Sequence, residues 1–196
     1  MTFLSISSKG NSVMTKPAYY YRGRNCMMKN GLKEVWATHL NDRVMNVYFV
    51  EMREFKNIQE MEKHLMKIAD FFKNINILLL IERDSPFPQI PVGCVHTTAS
   101  IMHWNRVIAQ LVRQPGNVRE IIEACRNLYE LKVLNKHQKN IASELIKGFS
   151  ISEISKKFSI NERTVYAHIK KIACLLGFGN SSKLINYLRI EFKNNY

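Results

Sequence analysis

Acidic side chains are missing where the chain begins: no Asp or Glu occurs before Glu34. A divalent-cation site that draws a carboxylate pair from the first strand of an N-terminal domain is therefore excluded. Cysteine is scarce, and Cys26, Cys94, Cys125 and Cys174 lie far apart with no CxxC pair. Scattered thiols of this kind read as small apolar residues in a reducing compartment. The sole Cys/His cluster, Cys94-x-His96 with His103, lacks a fourth ligand and makes a poor zinc site. No apolar run approaches the roughly 20 residues that span a bilayer; the longest, 75–81, is strand-sized. One early lysine and a brief apolar patch at 3–6 do not compose a secretory signal. The expectation is a cytoplasmic, nucleoid-associated protein with no membrane partner. Neither Gly-x-Ser-x-Gly nor a phosphate-cradling glycine loop occurs. Enzymatic activity, a cofactor and a metal are accordingly not expected.

Basic residues, by contrast, are abundant. The chain has 196 residues, 46% hydrophobic and 23% charged, which suits a globular protein of one large or two small domains. Its formal net charge is +13. From Lys132 onward 12 Lys and Arg face 4 Asp and Glu, so the positive excess is densest in the last third. A field of that sign favours a polyanion, nucleic acid ahead of acidic membrane.

Along the chain, a short strand is expected at 12–16 or 18–22, then a helix near 27–40. Residues 45–52 (MNVYFVEM) and 76–81 (NILLLI) are β-branched and apolar and read as buried strands. Between them, Met61, Leu65, Ile68 and Phe72 recur at helical spacing. Pro86, Pro88 and Pro91 forbid regular structure up to residue 92. A short strand at 92–98, a helical piece at 100–105, a strand at 107–112 and a helix at 118–131 follow. Strands alternating with helices argue for a mainly parallel sheet covered by helices. Trp36, the aromatics of 45–52 and Tyr19 to Tyr21 suit either an ordinary core or an interface, and burial preference favours the core.

The pattern becomes wholly helical near Val133. Ser150-Ile-Ser-Glu153 is a capping box, Gly148 stands where a helix end wants φ > 0, and Asn161 caps the next helix. In that helix Val165, Ile169, Ile172 and Leu176 form one stripe. Arg163, Ala167, Lys170 and Cys174 fall on the opposite side, with Tyr166 and Lys171 on its flanks. A short capped helix, a tight turn and a longer basic helix make a helix-turn-helix. The string Leu134, Gly148, Ser150, Glu153-Ile154, Ile160, Thr164-Val165, His168, Ile172 and Leu176-Gly177 resembles the signature of the LuxR/FixJ/NarL-type DNA-binding domain over about 134–188. Gln138, Ser155 and Leu175 depart from the usual Glu, Ala and Lys.

The resemblance implies that Tyr166, Ala167 and Lys170 read base edges, while Lys156, Arg163, Thr164 and Lys171 touch the backbone. Residue chemistry is consistent with this. A lysine can donate to guanine O6 and N7, and an alanine methyl can meet a thymine methyl. His168, at the edge of the apolar stripe, reads as a packed or phosphate-adjacent histidine.

In many proteins with such a C-terminal domain a receiver domain precedes it, and the strand-helix alternation here resembles one. Residues 107–128 are similar to a receiver's last strand, turn and last helix, with Arg113 where that strand would present Lys. Receiver phosphorylation requires early carboxylates and an acceptor Asp; here the middle strand ends at Glu51. The expectation is an α/β, degenerate receiver-like domain over 1–132 for dimerisation or partner binding. An all-α, four-helix LuxR-type domain over 133–196 would follow it. This layout is similar to that of enterobacterial orphan regulators of fimbriae and acid response. The implied function is a dimeric, sequence-specific binder of promoter DNA, not controlled by aspartyl phosphorylation, with a second regulator as a further partner. The alternative is a modulator that docks on another regulator and does not bind DNA.

Overall fold

The computed structural model describes residues 19–37, 46–72, 74–83, 85–88, 90, 93–113 and 116–192. The expected alternative strand at 12–16 lies outside them. Four parallel strands, β1 (Tyr19–Arg22), β2 (Asn46–Glu51), β3 (Ile75–Ile81) and β4 (Cys94–His96), form one sheet in the order β1-β2-β3-β4. A complete receiver of the 2-1-3-4-5 type swaps its first two strands; the described strands here run in sequence order. Register places Phe49 opposite Leu78 and Leu79 opposite Cys94. Alternation then assigns each face. Val47, Phe49, Leu78, Leu80 and Val95 meet α1 (Cys26–Ala37) and α3 (Ile101–Leu111) through Leu32, Trp36, Trp104 and Ile108. Tyr48, Val50, Ile77 and Leu79 meet α2 (Ile58–Phe71) and α4 (Val118–Tyr129) through Ile58, Met61, Leu65 and Ile121. Trp36 is 3% exposed and sits edge-on to Phe49, so it is core.

One expectation fails. Residues 107–112 are not a strand, and the helical piece before them does not stop at 105: α3 runs on through 107–111, with Val112 as its C-cap. Ser100 accepts from the His103 amide as its N-cap, and Trp104, Ile108 and Leu111 repeat at four and three residues, a helical stripe. At its far end the Leu111 carbonyl accepts from Asn76 Nδ2 at 2.7 Å, so β3 itself caps the helix. The likeness of 107–112 to a last receiver strand falls with it, and with it the role supposed for Arg113. The apolar β-branched content of that stretch was the misleading signal.

Four helices follow among the described residues: α5 (Lys136–Ile146), α6 (Ile151–Phe158), α7 (Glu162–Leu175) and α8 (Ser181–Phe192). The core below α2 and α4 continues without a break through Leu131 and Leu134 into Ile141, Ile154, Val165, Ile169 and Leu184. No helix among the described residues is long and apolar enough to cross a membrane.

Candidate nucleic-acid interface

Each boundary around α6 and α7 has a local cause. Asn135 and Gln138 form a reciprocal capping box at α5, so the glutamine that departs from the usual glutamate does the same work. The α5 C-terminus passes into Gly148 at φ 89, a conformation that costs any other residue dearly. Ser150 and Glu153 form the second box. Between α6 and α7, Ser159 takes the left-handed conformation at φ 52, and the Ser155 hydroxyl donates to the Ile160 carbonyl at 2.6 Å. Ser155, where alanine is usual, thereby fastens the turn. Asn161 Oδ1 then accepts from the Thr164 amide at 2.7 Å.

Helix α7 buries Val165, Ile169, Ile172 and Ala173 and leaves Arg163, Tyr166, Ala167, Lys170, Lys171 and Cys174 exposed. Tyr166 is 57% exposed, a large aromatic carried outward rather than packed. The structure therefore brings the three base-reading candidates onto one open face. Lys156 is exposed on α6, while its neighbour Lys157 is tied back: Lys157 and Lys147 both donate to the buried Glu144, at 2.7 and 3.2 Å. The hydrogen bond from Lys157 holds the Glu144 carboxyl below its usual range. The Thr164 hydroxyl lies 2.9 Å from Asn161 Oδ1 and donates to it, so its proton belongs to the cap. The amides of Glu162 and Arg163 at the helix start are the ones a phosphate meets first. His168 is half-buried, its ring 4.7 Å from that of His137, which also packs on Phe158. Burial, and then the charges of His137 and Lys171, push its pKa down, as expected of a packed histidine.

At the carboxyl ends of β1, β2 and β3 lies the position a receiver uses for phosphorylation. Glu51 ends β2, with its side chain 4% exposed. The Tyr21 hydroxyl donates to one carboxylate oxygen, and Arg53 Nε to the other at 2.7 Å. The same guanidinium also pairs with Glu82 just after β3. Burial and the Glu51 carboxylate both drive the Tyr21 phenol well above its ordinary range. Gly23 packs closely against this pair: a Cβ on it would run into the Tyr21 hydroxyl oxygen and stand 2.6 Å from the Glu51 carboxyl carbon, so those side chains would have to shift. A Mg²⁺ site does not fit: Tyr21 and Arg22 stand where early carboxylates would be needed, and Arg53 already bridges the two acids. Among the described residues no group of three His, Cys, Asp or Glu is arranged to hold a metal, and Cys94 and His96 do not alter that. Burial pushes the Cys94 thiol up to about 12.

Nearby, His64 sits between Arg22 and Tyr48, with Arg22 Nη1 3.0 Å from Nδ1 and the Tyr48 hydroxyl 2.9 Å from Nε2. Arginine can only donate, so Nδ1 accepts and Nε2–H donates to Tyr48. Burial, then Arg22 and Lys67, lower this histidine from 6.5 to about 4. Because its folded pKa lies below the unfolded one, its contribution is complete above pH 6.5 and is lost as pH falls toward 4. Solvent screening of this half-buried group reduces the effect to about 1–2 kcal/mol. Urea midpoints at pH 7.5 and 4.5 should therefore fall further for wild type than for His64→Gln; equal falls would remove His64 from the pH response.

A short capped helix, a left-handed turn and a second helix with one buried and one basic outward face define the helix-turn-helix class of DNA-binding unit. Residues 132–188 match the bacterial regulatory proteins of the luxR family. This part of the chain is a LuxR-family helix-turn-helix domain. Most of the chain shares its two-part fold with solved response regulators. The structure of a two-component response regulator RcsB-DNA complex is similar at 16% identity and TM-score 0.55, covering 88% of this chain and 97% of that one. RcsB from Salmonella enterica serovar Typhimurium bound to promoter rprA is similar at 15% identity and TM-score 0.55, covering 89% and 98%. A structure of two RcsB dimers on two parallel DNAs gives 15% identity and TM-score 0.53, with 89% and 98% covered. No curated protein sequence matches the chain.

Sequence reasoning overlooked the Tyr21–Glu51–Arg53–Glu82 cluster and the Glu144–Lys157 pair. Both join residues far apart in the chain, so no local spacing announces them.

Proposed function

We propose that the protein is a dimeric, sequence-specific transcriptional regulator that inserts α7 into the major groove of promoter DNA. The observation that carries this reading is the outward face of α7, where Arg163, Ala167 and Lys170 stand opposite a fully buried stripe and Tyr166 is exposed on the flank. Tyr166, Ala167 and Lys170 read base edges; Arg163, Lys171, Lys156 and the start of α7 around Thr164 hold phosphates. A single short helix reads only a few base pairs, which favours a dimer on paired half-sites. The RcsB structures with DNA, one of them holding dimers, support the same reading. A second regulator remains a further partner in this proposal, and the domains divide near residue 133.

Control by aspartyl phosphorylation is not part of the mechanism. The acceptor position holds Glu51, already bonded to Tyr21 and Arg53, with no early carboxylates to bind Mg²⁺. Incubation with ³²P-labelled acetyl phosphate is expected to leave the protein unlabelled. Label on Glu51, or on Asp84, which lies outside the described residues, would overturn this.

The binding test is a gel shift with fragments from the protein's own genomic neighbourhood. With several phosphates neutralised per dimer, affinity should fall about 10³-fold or more between 50 and 200 mM salt. A flat gel shift at every salt concentration, with a nuclease-resistant pull-down of another regulator, would replace this reading with that of a protein-docking modulator.

A further inference from the structure

The last helix carries a carboxylate that serves an element of the first domain. Glu191 on α8 is 4% exposed. Its Oε2 accepts from the Ile58 amide at 2.7 Å and its Oε1 from the Gln59 amide at 3.1 Å. These are the first two amides of α2, which otherwise have no intrahelical acceptor. Asn57, the N-cap, satisfies the third amide, Glu60, at 2.8 Å. Helix α2 therefore starts with two caps, one local and one 133 residues away. A carboxylate suits this place twice, through charge-assisted hydrogen bonds and through the positive end of the helix dipole.

A second fastening lies two turns earlier on α8, where Lys183 Nζ donates to the Arg83 carbonyl at 3.0 Å. Arg83 follows Glu82, and Ile58 follows the turn that carries Arg53, so α8 grips both loops that the Glu51–Arg53–Glu82 cluster ties together. Between the two grips Tyr187 is fully buried, and the charge of Glu191 reaches both Tyr187 and Cys125 of α4. In this docked arrangement the reading face of α7 stays open.

We infer that Glu191 is an interdomain latch that fixes the helix-turn-helix unit on the first domain with the face of α7 turned outward. The first domain then sets the direction of the reading helix by a standing contact, not by covering and releasing it. The consequence for DNA rests on the function proposed above; the latch itself is tested without DNA, so either can fail alone.

Cys26 on α1 and Cys174 on α7 are exposed, whereas Cys125 is buried and Cys94 mostly so, and the thiols of both are pushed up to about 12. Spin labels therefore go onto one native cysteine in each half of the full chain. Wild type should give one narrow Cys26–Cys174 distance by pulsed electron resonance, and Glu191→Ala a broad distribution. In parallel, hydrogen exchange at the Ile58 and Gln59 amides should accelerate about 10- to 100-fold in Glu191→Ala, the loss of charge-assisted bonds, with Thr164 unchanged. Glu191→Gln, which keeps one acceptor oxygen, should fall between and serves if the alanine variant does not fold. A broad distance in wild type, or unchanged exchange at both amides in either variant, overturns the latch.

Discussion

Asn117→Ala is expected to lower stability by about 2–4 kcal/mol, the cost of leaving two buried backbone groups of a central strand without partners. Asn117 is 5% exposed, and its side chain behaves as a piece of missing strand. Its Oδ1 accepts from the Ile77 amide at 2.7 Å, and its Nδ2 donates to the Ile77 carbonyl at 3.0 Å. Farther along the same edge the backbone takes over, with Leu79 N–H donating to the Gly93 carbonyl at 2.7 Å before β4 begins. The lower half of β3 would otherwise face the core with an open edge. Asn117→Asp should cost more than alanine does at neutral pH. It keeps the acceptor for Ile77 N–H but sets a charged oxygen against the Ile77 carbonyl in a dry site. Denaturant midpoints at constant m-value measure both. A loss below about 1 kcal/mol for the alanine variant would mean that water replaces the amide there.

Asn117 also shows where sequence reading runs out. An Asn directly before a helix is most simply a cap, and α4 does begin at Val118. Yet its side chain makes no cap bond and turns to the sheet instead. Nothing within a few residues of Asn117 announces Ile77. The same holds for Glu51 with Tyr21 and for Glu191 with Ile58, pairs separated by 30 and 133 residues. What could be read was local. The apolar content of 46–51 and 75–81 marked β2 and β3, and the spacing of Met61, Leu65 and Ile68 at four and then three residues marked α2. Ser150 and Asn161 cap α6 and α7 in the expected way, because a cap is a bond to an amide three residues on. The failure at 107–112 is of another kind. An apolar stretch of that length suits a strand or a helix, and the deciding feature, Ser100 with Trp104, Ile108 and Leu111 in one stripe, extends beyond it.

For the proposed DNA-reading face the decisive comparison is between adjacent lysines. Lys170 and Lys171 are both exposed on α7, and neither belongs to its buried stripe, so alanine at either should leave the melting temperature nearly unchanged. They differ by 100° around the helix. Lys170 stands with Ala167 on the outward face, with Tyr166 four residues before it on one flank; Lys171 lies on the other flank, near His168. Lys170→Ala is therefore expected to cost about 1–3 kcal/mol on the preferred site and little on unrelated DNA, flattening the preference at one base pair. Lys171→Ala should weaken every sequence alike and reduce the slope of log K against log salt by about 1 for each half-site. Fluorescence anisotropy on the preferred site and on a scrambled duplex, each over a salt series, separates the two. Equal losses on both duplexes for Lys170→Ala would make it a phosphate contact. Base reading would then rest on Tyr166 and Ala167, which offer an aromatic edge and a methyl group but no cation to pair with guanine.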